Sequence, residues 1–227
     1  MPTLTFWIDV DNTLLANDDV KQRQDDFLQS ELGPELTKRY WDAYEQVRKE
    51  KGVVDIPFTL RRFREQIPHS ELDDYTYRHA HSMFDNFPFY NFLYPEALET
   101  LQALNRIGTT VIVSDGDLNY QAEKILNSAV AEAVGGRVLL YIHKQHHLEE
   151  IMQRYPADHY AMIDDKPQIL ADMKKLLGDK LTTVFVKQGK YANAGFPEGF
   201  IPDVSVEHLK DLQQLPASQF YNSTTAS

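Results

Sequence analysis

The chain of 227 residues contains no cysteine. Disulfide bridges, thiolate metal sites and cysteine nucleophiles are therefore excluded. Basic residues are scarce as well, since 23 Lys and Arg stand against 34 Asp and Glu and give a net charge of −11. This balance argues against a broad basic surface, and so against nucleic acid or anionic lipid as a partner.

Long hydrophobic runs are also missing. No apolar segment approaches the roughly 20 residues that a membrane-spanning helix needs. The first residues lack the basic region, apolar stretch and cleavage site of a signal peptide. We therefore expect a cytoplasmic protein without a membrane partner. The length suits one large domain, or a core with a smaller inserted domain.

Short strand-like segments alternate with helical segments over most of the chain. After an opening strand that ends at Ile8, strands are predicted at 109–113, 137–142, 159–163 and 181–186, and helices at 95–107, 120–134, 148–154 and 167–177. Such alternation is typical of parallel βαβ units with right-handed crossovers. We predict an α/β fold with a Rossmann-like, doubly wound parallel sheet as its core.

Residues 16–92 break this alternation, because they show helical periodicity and no convincing strand. Glycine and proline divide the segment into four predicted helices, at 19–32, 34–51, 57–66 and 70–84. The pattern predicts a small α-helical cap domain at 16–92, inserted into a core made of residues 1–15 and 93–227. The last dozen residues, 216–227, are small and polar, and we expect them to fray.

The opening strand runs directly into two aspartates one residue apart, Asp9 and Asp11, which are followed by Asn12 and Thr13. Side chains at i and i+2 share one side of a strand, and ligands bind at the carboxyl ends of parallel strands. Two like charges in one small volume favour a divalent cation, and carboxylate oxygens suit Mg²⁺. The alternative is an Asx turn in which Asp11 and Asn12 only bond the backbone.

Polar residues follow three further strands. Residues 114–117, Ser-Asp-Gly-Asp, form either a phosphate cradle at a helix start or an ordinary turn with a helix N-cap. Lys144 follows the third strand, where it is either solvated surface or a cation that holds Asp9 and a phosphoryl oxygen together. Asp164 and Asp165 follow the fourth strand. Two acidic pairs at strand ends predict a magnesium site.

Together these residues resemble the haloacid dehalogenase superfamily of Rossmann-like phosphohydrolases with a helical type 1 cap. The four signatures of that superfamily occur in order, as Asp9-x-Asp11-x-Thr13, an apolar strand ending in Ser114, then Lys144, then Asp164-Asp165. The resemblance covers the core, residues 1–15 and about 93–215. The chain departs from the family in Asp115 and Gln145, where Asn and Pro are frequent, which leaves the subfamily and the substrate open.

The resemblance implies a magnesium-dependent phosphatase that acts on a small phosphorylated metabolite. It implies that Asp9 is a nucleophile forming an aspartyl-phosphate, that Asp11 is the acid and base, and that Lys144 assists. The implied magnesium ligands are Asp9, Asp11 through its backbone carbonyl, Asp164 and Asp165. The implied phosphoryl-binding residues are Asn12, Thr13, Ser114, Asp115 and Lys144.

The motifs leave other activities of the superfamily open. A dehalogenase expels a halide that needs no proton, and members of that subclass lack an acid at the Asp11 position, so Asp11 favours phosphoryl chemistry. A phosphomutase depends on cap closure that no motif reveals. A binding or regulatory protein could keep the fold without turnover. An exposed aromatic face on the cap would suit a homodimer.

Overall fold

Six parallel strands form one sheet in the computed structural model, which describes residues 3–221. The strands are β1 (Leu4–Ile8), β2 (Thr109–Asp115), β3 (Val138–Tyr141), β4 (His159–Asp164), β5 (Leu181–Val186) and β6 (Val204–Val206), in the spatial order β3-β2-β1-β4-β5-β6. The predicted α/β class with a doubly wound parallel sheet is confirmed. The strand β6 was missed, because three residues are too few to show a pattern.

The central strand β1 is buried along its whole length. Phe6 and Ile8 face one layer of the core, while Trp7 faces the other and stacks on Tyr160 of β4 at a centroid distance of 4.4 Å. The sequence of a strand that is covered on both faces is continuously apolar and does not alternate with polar residues. This explains why the segment before Asp9 is uniformly apolar.

The segment between β1 and β2 is helical, as predicted. It holds α1 (Asn17–Lys51), α2 (Ile56–Gln66) and α3 (Asp74–Asp85). The helix α1 is broken at Gly33, where φ is 76° and ψ is 171°, and Pro34 begins its second half. The two helices predicted at 19–32 and 34–51 therefore meet at a kink. Asp55 caps α2 by accepting a hydrogen bond from the Phe58 amide.

Both ends of this helical segment leave the sheet side by side. The Ala16 amide donates to the Phe92 carbonyl at 2.8 Å, and the Tyr94 amide donates to the Leu14 carbonyl at 2.9 Å. The insertion thus begins and ends at one edge of the core, next to Asp9. The exact division into a core of 1–15 plus 93–227 and a cap of 16–92 stays a prediction.

The remaining helices flank the sheet. They are α4 (Ala97–Leu104), α5 (Leu118–Asn127), α6 (Val130–Ala133), α7 (Leu148–Arg154) and α8 (Pro167–Leu177). The bounds of α7 and α8 match the prediction. The single helix predicted at 120–134 is two, because Ala129 adopts a left-handed conformation with φ of 63° and ends the first.

The prediction that residues 216–227 fray is wrong for residues 216–221, which the structure describes. Residues Ala217–Phe220 form a short 3₁₀ helix, and the ring of Phe220 is buried against Phe6 with centroids 5.0 Å apart. Residues 222–227 lie outside the described part of the chain. Within 3–221, no helix combines the length and apolar character needed to cross a bilayer.

Strand register brings the two acidic pairs together. β1 lies beside β4 with Ile8 opposite Ile163, and the Asp9 amide continues the ladder by donating to the Ile163 carbonyl at 3.0 Å. One residue further along both strands, Asp9 and Asp164 are neighbours. The strand order also reverses between β1 and β4, which opens a crevice at their carboxyl ends.

Candidate active site

Three carboxylates converge in that crevice. One oxygen each of Asp9, Asp164 and Asp165 lies within 4.8 Å of the other two, and all three residues are buried. We call these residues the carboxylate cluster. In the sequence Asp9 is more than 150 positions away from the adjacent pair Asp164 and Asp165, and the parallel register of β1 and β4 brings it beside them.

Lys144 supplies the counter-charge of the cluster. It follows β3, and its ammonium reaches Asp9 Oδ1 at 2.6 Å and Asp164 Oδ2 at 2.7 Å. The same Nζ donates to the Val113 carbonyl at 3.2 Å, and the side chain is fully buried. A buried cation needs such partners, so the reading of Lys144 as solvated surface is wrong.

The three carboxylates of the cluster differ in the direction in which their pKa values are shifted. Burial opposes the ionisation of Asp9, but the ammonium groups of Lys144 and Lys166 outweigh it and lower the pKa of Asp9 below its ordinary value. Burial raises the pKa of Asp164. Burial, together with the charges of Asp164 and Asp9, raises the pKa of Asp165 to about 9. Among the three carboxylates, Asp9 is the one whose ionised form the surrounding charges favour.

Asp165 provides the fit test for a bound cation. Both of its carboxylate oxygens are buried, and neither has a hydrogen-bond partner among the described residues. An orphaned carboxylate in the interior is costly unless a ligand engages it. Oxygen-only donors from three carboxylates are the chemistry that a hard divalent ion takes. The residues therefore fit magnesium, with Asp9, Asp164 and Asp165 as the side chains that would hold it.

Thr13 and Asn12 shape the loop after β1. The Thr13 hydroxyl lies 3.5 Å from Asp9 Oδ2 and accepts the Asp165 amide at 3.1 Å, so it bridges the two acidic segments. Asn12 has a positive φ of 61°, and its Oδ1 accepts the Asp18 amide at the start of α1. Asn12 therefore bonds the backbone, as the turn alternative predicted for it, whereas the role of this loop as a site stays a prediction.

Gly189, after β5, packs against this loop. Its φ is +60°, and a Cβ added there would lie 2.5 Å from Asn12 Cβ. We expect Gly189→Ala to destabilise the protein by about 1–3 kcal/mol, because the methyl group would displace the loop. Urea unfolding measures this. Gly195→Ala is the matched control, since a Cβ there meets nothing within 4 Å. Equal unfolding midpoints for the two variants would contradict the packing argument.

The loop after β2 is tied to the same centre. Asp115 Oδ1 accepts the Lys144 amide at 2.6 Å, and burial raises the pKa of Asp115. Ser114 is buried, and its hydroxyl accepts a hydrogen bond from Gln121 Nε2 at 2.8 Å. Asp117 caps α5 through the amides of residues 119 and 120, so the N-cap reading of that residue is correct.

Asp11 stands apart from the carboxylate cluster. Its Oδ1 accepts a hydrogen bond from Lys124 Nζ at 2.6 Å, and the same ammonium donates to Asn17 Oδ1 at 3.0 Å. The Asp11 side chain is 25% exposed, whereas that of Lys124 is 3% exposed. The structure therefore brings the Asp9, Asp164 and Asp165 side chains together but leaves the Asp11 side chain out, facing a neighbouring cavity.

That cavity has a volume of about 290 Å³ and lies between the helical insertion and the sheet. Its core side includes Asp11, Asn12 and Asp115 from the predicted site. Its other side is formed by α1 and by residues 52–56 between α1 and α2. A small molecule in this space would touch Asp11 directly and reach the loop that carries Asp9.

Sequence reasoning missed Gln121, Lys124 and Lys166 as site residues. Gln121 and Lys124 stand four and seven positions after the cap residue Asp117, which places all three on one stripe of α5. That spacing could have identified Gln121 and Lys124 as site residues from the sequence alone. Lys166 follows the second acidic pair directly, and its proximity to Asp9, Asp164 and Asp165 raises its pKa despite burial.

Comparison with solved structures finds similar chains. A haloacid dehalogenase-like hydrolase from Burkholderia xenovorans LB400 is 40% identical with a TM-score of 0.82, and the match covers 94% of this chain and 98% of that one. The HAD-hydrolase YfnB from Bacillus subtilis, solved bound to magnesium, is 13% identical with a TM-score of 0.61, over 94% and 98% of the chains. L-2-haloacid dehalogenase from Xanthobacter autotrophicus is 16% identical with a TM-score of 0.54, over 92% and 96%. No family model and no curated protein matches.

Proposed function

Because this chain belongs to the haloacid dehalogenase superfamily of hydrolases, we propose that it is a magnesium-dependent phosphatase acting on a small phosphorylated metabolite. The observation that carries the proposal is the placement of Asp11. Its carboxylate lines the cavity two residues beyond the buried anion Asp9. A leaving alkoxide needs a proton donor at that place, whereas a leaving halide does not.

In the first half-reaction, an Asp9 carboxylate oxygen attacks phosphorus and the bond from phosphorus to the ester oxygen breaks. The leaving alkoxide takes a proton from the carboxyl of Asp11. Lys144 holds Asp9 by the 2.6 Å contact and so fixes the orientation of the nucleophile. The Asp115 amide, the Ser114 hydroxyl and Lys144 are the donors proposed for the phosphoryl oxygens, whereas the Asn12 amide already donates to the Leu15 carbonyl at 2.7 Å.

In the second half-reaction, water attacks the phosphorus of the aspartyl-phosphate, and the bond from phosphorus to Asp9 breaks. Asp11 takes the proton of that water and is ready for the next cycle. A Mg²⁺ ion held by the carboxylate cluster and the Asp11 backbone carbonyl would supply positive charge that offsets the repulsion between the anionic nucleophile and the phosphate. Lys144 and Lys166 supply part of that charge from the chain itself.

Hydrolysis of p-nitrophenyl phosphate by the purified protein, with Mg²⁺ and with excess EDTA, tests the proposal. We expect release of inorganic phosphate that depends on magnesium. No release at any magnesium concentration would overturn the phosphatase assignment.

Rival activities give different products in the same assay format. A dehalogenase would release halide from 2-chloropropionate without magnesium. A phosphomutase would convert a sugar phosphate to its isomer with little free phosphate, which phosphorus NMR distinguishes from hydrolysis. A binding protein would show neither reaction. These assays therefore distinguish a phosphatase from a dehalogenase, a phosphomutase and a binding protein, which the shared fold alone does not.

Lys124 is proposed as the residue that positions Asp11, through the 2.6 Å contact. We expect Lys124→Met to lower kcat for an alkyl phosphate about 10- to 100-fold, because a misplaced acid loses part of the roughly 10²- to 10⁴-fold that general acid catalysis contributes. The loss should be smaller for p-nitrophenyl phosphate, whose leaving group needs little protonation. Steady-state kinetics with both substrates measures the difference.

The matched control is Lys175→Met, an exposed lysine of α8 outside the cavity. It should change neither rate. Equal losses for the alkyl and the aryl ester in Lys124→Met would contradict a role exerted through the acid, and would indicate a general structural effect.

A further inference from the structure

We propose that the substrate carries a second acidic group besides its phosphate, a carboxylate or a second phosphoryl group, which Tyr44, Arg48 and Lys21 of α1 bind. The inference rests on the proposed phosphatase function and deepens it, because it names a substrate class. It assigns specificity to one helix of the insertion.

The first support is the charge of the cavity. Five of the 23 Lys and Arg of the chain line it, against only four of the 34 Asp and Glu. In a protein with a net charge of −11, the lining of this space thus carries one more positive than negative side chain. The five cations are Lys21, Arg48, Lys124, Lys166 and Lys190. Such a lining favours an anionic ligand.

The second support is that the acidic residues of the lining already have partners. Asp11 is bound by Lys124, Asp18 accepts the Lys190 amide, and Asp115 accepts the Lys144 amide. Asp117 accepts the first amides of α5. Each of these four carboxylates therefore already has a partner, and none of the ion pairs among the described residues joins one of them to Lys21 or Arg48.

Lys21 and Arg48, the cations of α1 that line the cavity, make only weak contacts within the protein. Arg48 lies 3.4 Å from Glu45, with both side chains about half exposed, a contact of little energetic weight. Lys21 has its ammonium 5.3 Å from the centroid of the Tyr44 ring. Both side chains line the cavity. They can turn to an anion at small cost.

The third support is an orphaned hydroxyl. Tyr44 is 3% exposed and lines the cavity, yet its hydroxyl has no hydrogen-bond partner among the described residues. Burial raises the pKa of Tyr44 to about 12, so the hydroxyl keeps its proton and can donate. A buried donor without an acceptor is rare and calls for a ligand oxygen.

These groups lie on one side of the cavity. Arg48 follows Tyr44 by one helical turn, so both side chains share a face of α1, and Lys21 reaches the same tyrosine from the first half of the helix. Asp11 is near enough to influence the ionisation of Tyr44. A volume of about 290 Å³ admits only a small molecule, whose second acidic group would face α1 while its ester oxygen faces Asp11.

Three probe substrates test the inference. They are 2-phosphoglycolate, its neutral analogue 2-hydroxyethyl phosphate, and ethylene glycol bisphosphate. We expect kcat/KM for at least one of the two acidic esters to exceed that of the neutral ester about tenfold, the effect of one charge-assisted contact. The acidic ester that is preferred identifies the second group as a carboxylate or a phosphate.

Arg48→Gln and Tyr44→Phe should each lower this ratio of kcat/KM values about tenfold. Lys49→Gln is the matched control, since Lys49 is the exposed neighbour of Arg48 and does not line the cavity. Preference for the neutral ester, or an unchanged ratio in both variants, would overturn the inference.

A binding measurement separates this inference from the proposed function. Calorimetry on Asp9→Asn protein needs no turnover, and 2-phosphoglycolate or the bisphosphate should bind about tenfold more tightly than the neutral ester. Adding Arg48→Gln should erase that difference. Equal affinities would overturn the inference even if hydrolysis proceeds. Absence of hydrolysis with a retained binding preference would overturn the phosphatase assignment alone.

Discussion

Asp9→Asn is expected to abolish phosphate release, with a loss of at least about 10⁴-fold in kcat, because an amide oxygen cannot replace the attacking carboxylate. The lowered pKa of Asp9 keeps the wild-type group anionic at neutral pH. Steady-state hydrolysis of p-nitrophenyl phosphate with saturating Mg²⁺ measures the loss.

Asp9 is also a member of the carboxylate cluster, so loss of activity alone does not separate nucleophile from metal ligand. Acid-quenched single turnovers with intact mass analysis make the distinction, since wild type should accumulate one covalent phosphoryl group and Asp9→Asn none. Asp26→Asn, an exposed aspartate of α1, is the control and should behave as wild type. A phosphorylated Asp9→Asn protein, or substantial turnover by it, would remove Asp9 from the nucleophile role.

The sheet was predictable because its strands are buried on both faces. Apolar runs such as β1 and β4, separated by helices of regular length, allow only a parallel arrangement with crossovers. The break at Gly33 was also visible, since glycine followed by proline interrupts a helix. Ala129 was not, because an alanine in the left-handed region leaves no mark in the sequence. The short strand β6 is held by its pairing with β5, a contact distant in sequence.

The candidate site was predictable where it depends on strand ends. Each of Asp9, Ser114, Lys144 and Asp164 lies at or just after the carboxyl end of a strand, and parallel register then makes them neighbours. Partners that arrive from helices were not predicted. Lys124 reaches Asp11 across 113 positions, and only the packing of α5 against the start of α1 decides that contact.

Asp165→Asn should have opposite effects on stability and on metal response. The folded-state pKa of Asp165 is about 9, above the ordinary value of 3.8, so the native state holds a proton that the unfolded state releases. Metal-free wild type therefore loses stability as pH rises through this interval. Asparagine keeps the shape of the side chain but cannot ionise, so folding no longer requires the uptake of a proton at this position. The variant should gain about 1–3 kcal/mol without metal at neutral pH, or several degrees of Tm at this chain length.

Adding Mg²⁺ should make wild type more stable than Asp165→Asn. Wild type is expected to gain about 2.7 kcal/mol at a magnesium concentration one hundred times Kd, whereas Asp165→Asn, which has lost a carboxylate of the cluster, should gain little. Thermal unfolding across pH, with Mg²⁺ and with EDTA, measures both effects, and Asp26→Asn again serves as the control. The metal-free advantage of the variant should shrink toward pH 4, where both proteins carry a neutral group at position 165. An equal magnesium response in wild type and Asp165→Asn would show that the ion binds without this residue, and would contradict the argument from the two unpartnered oxygens of Asp165.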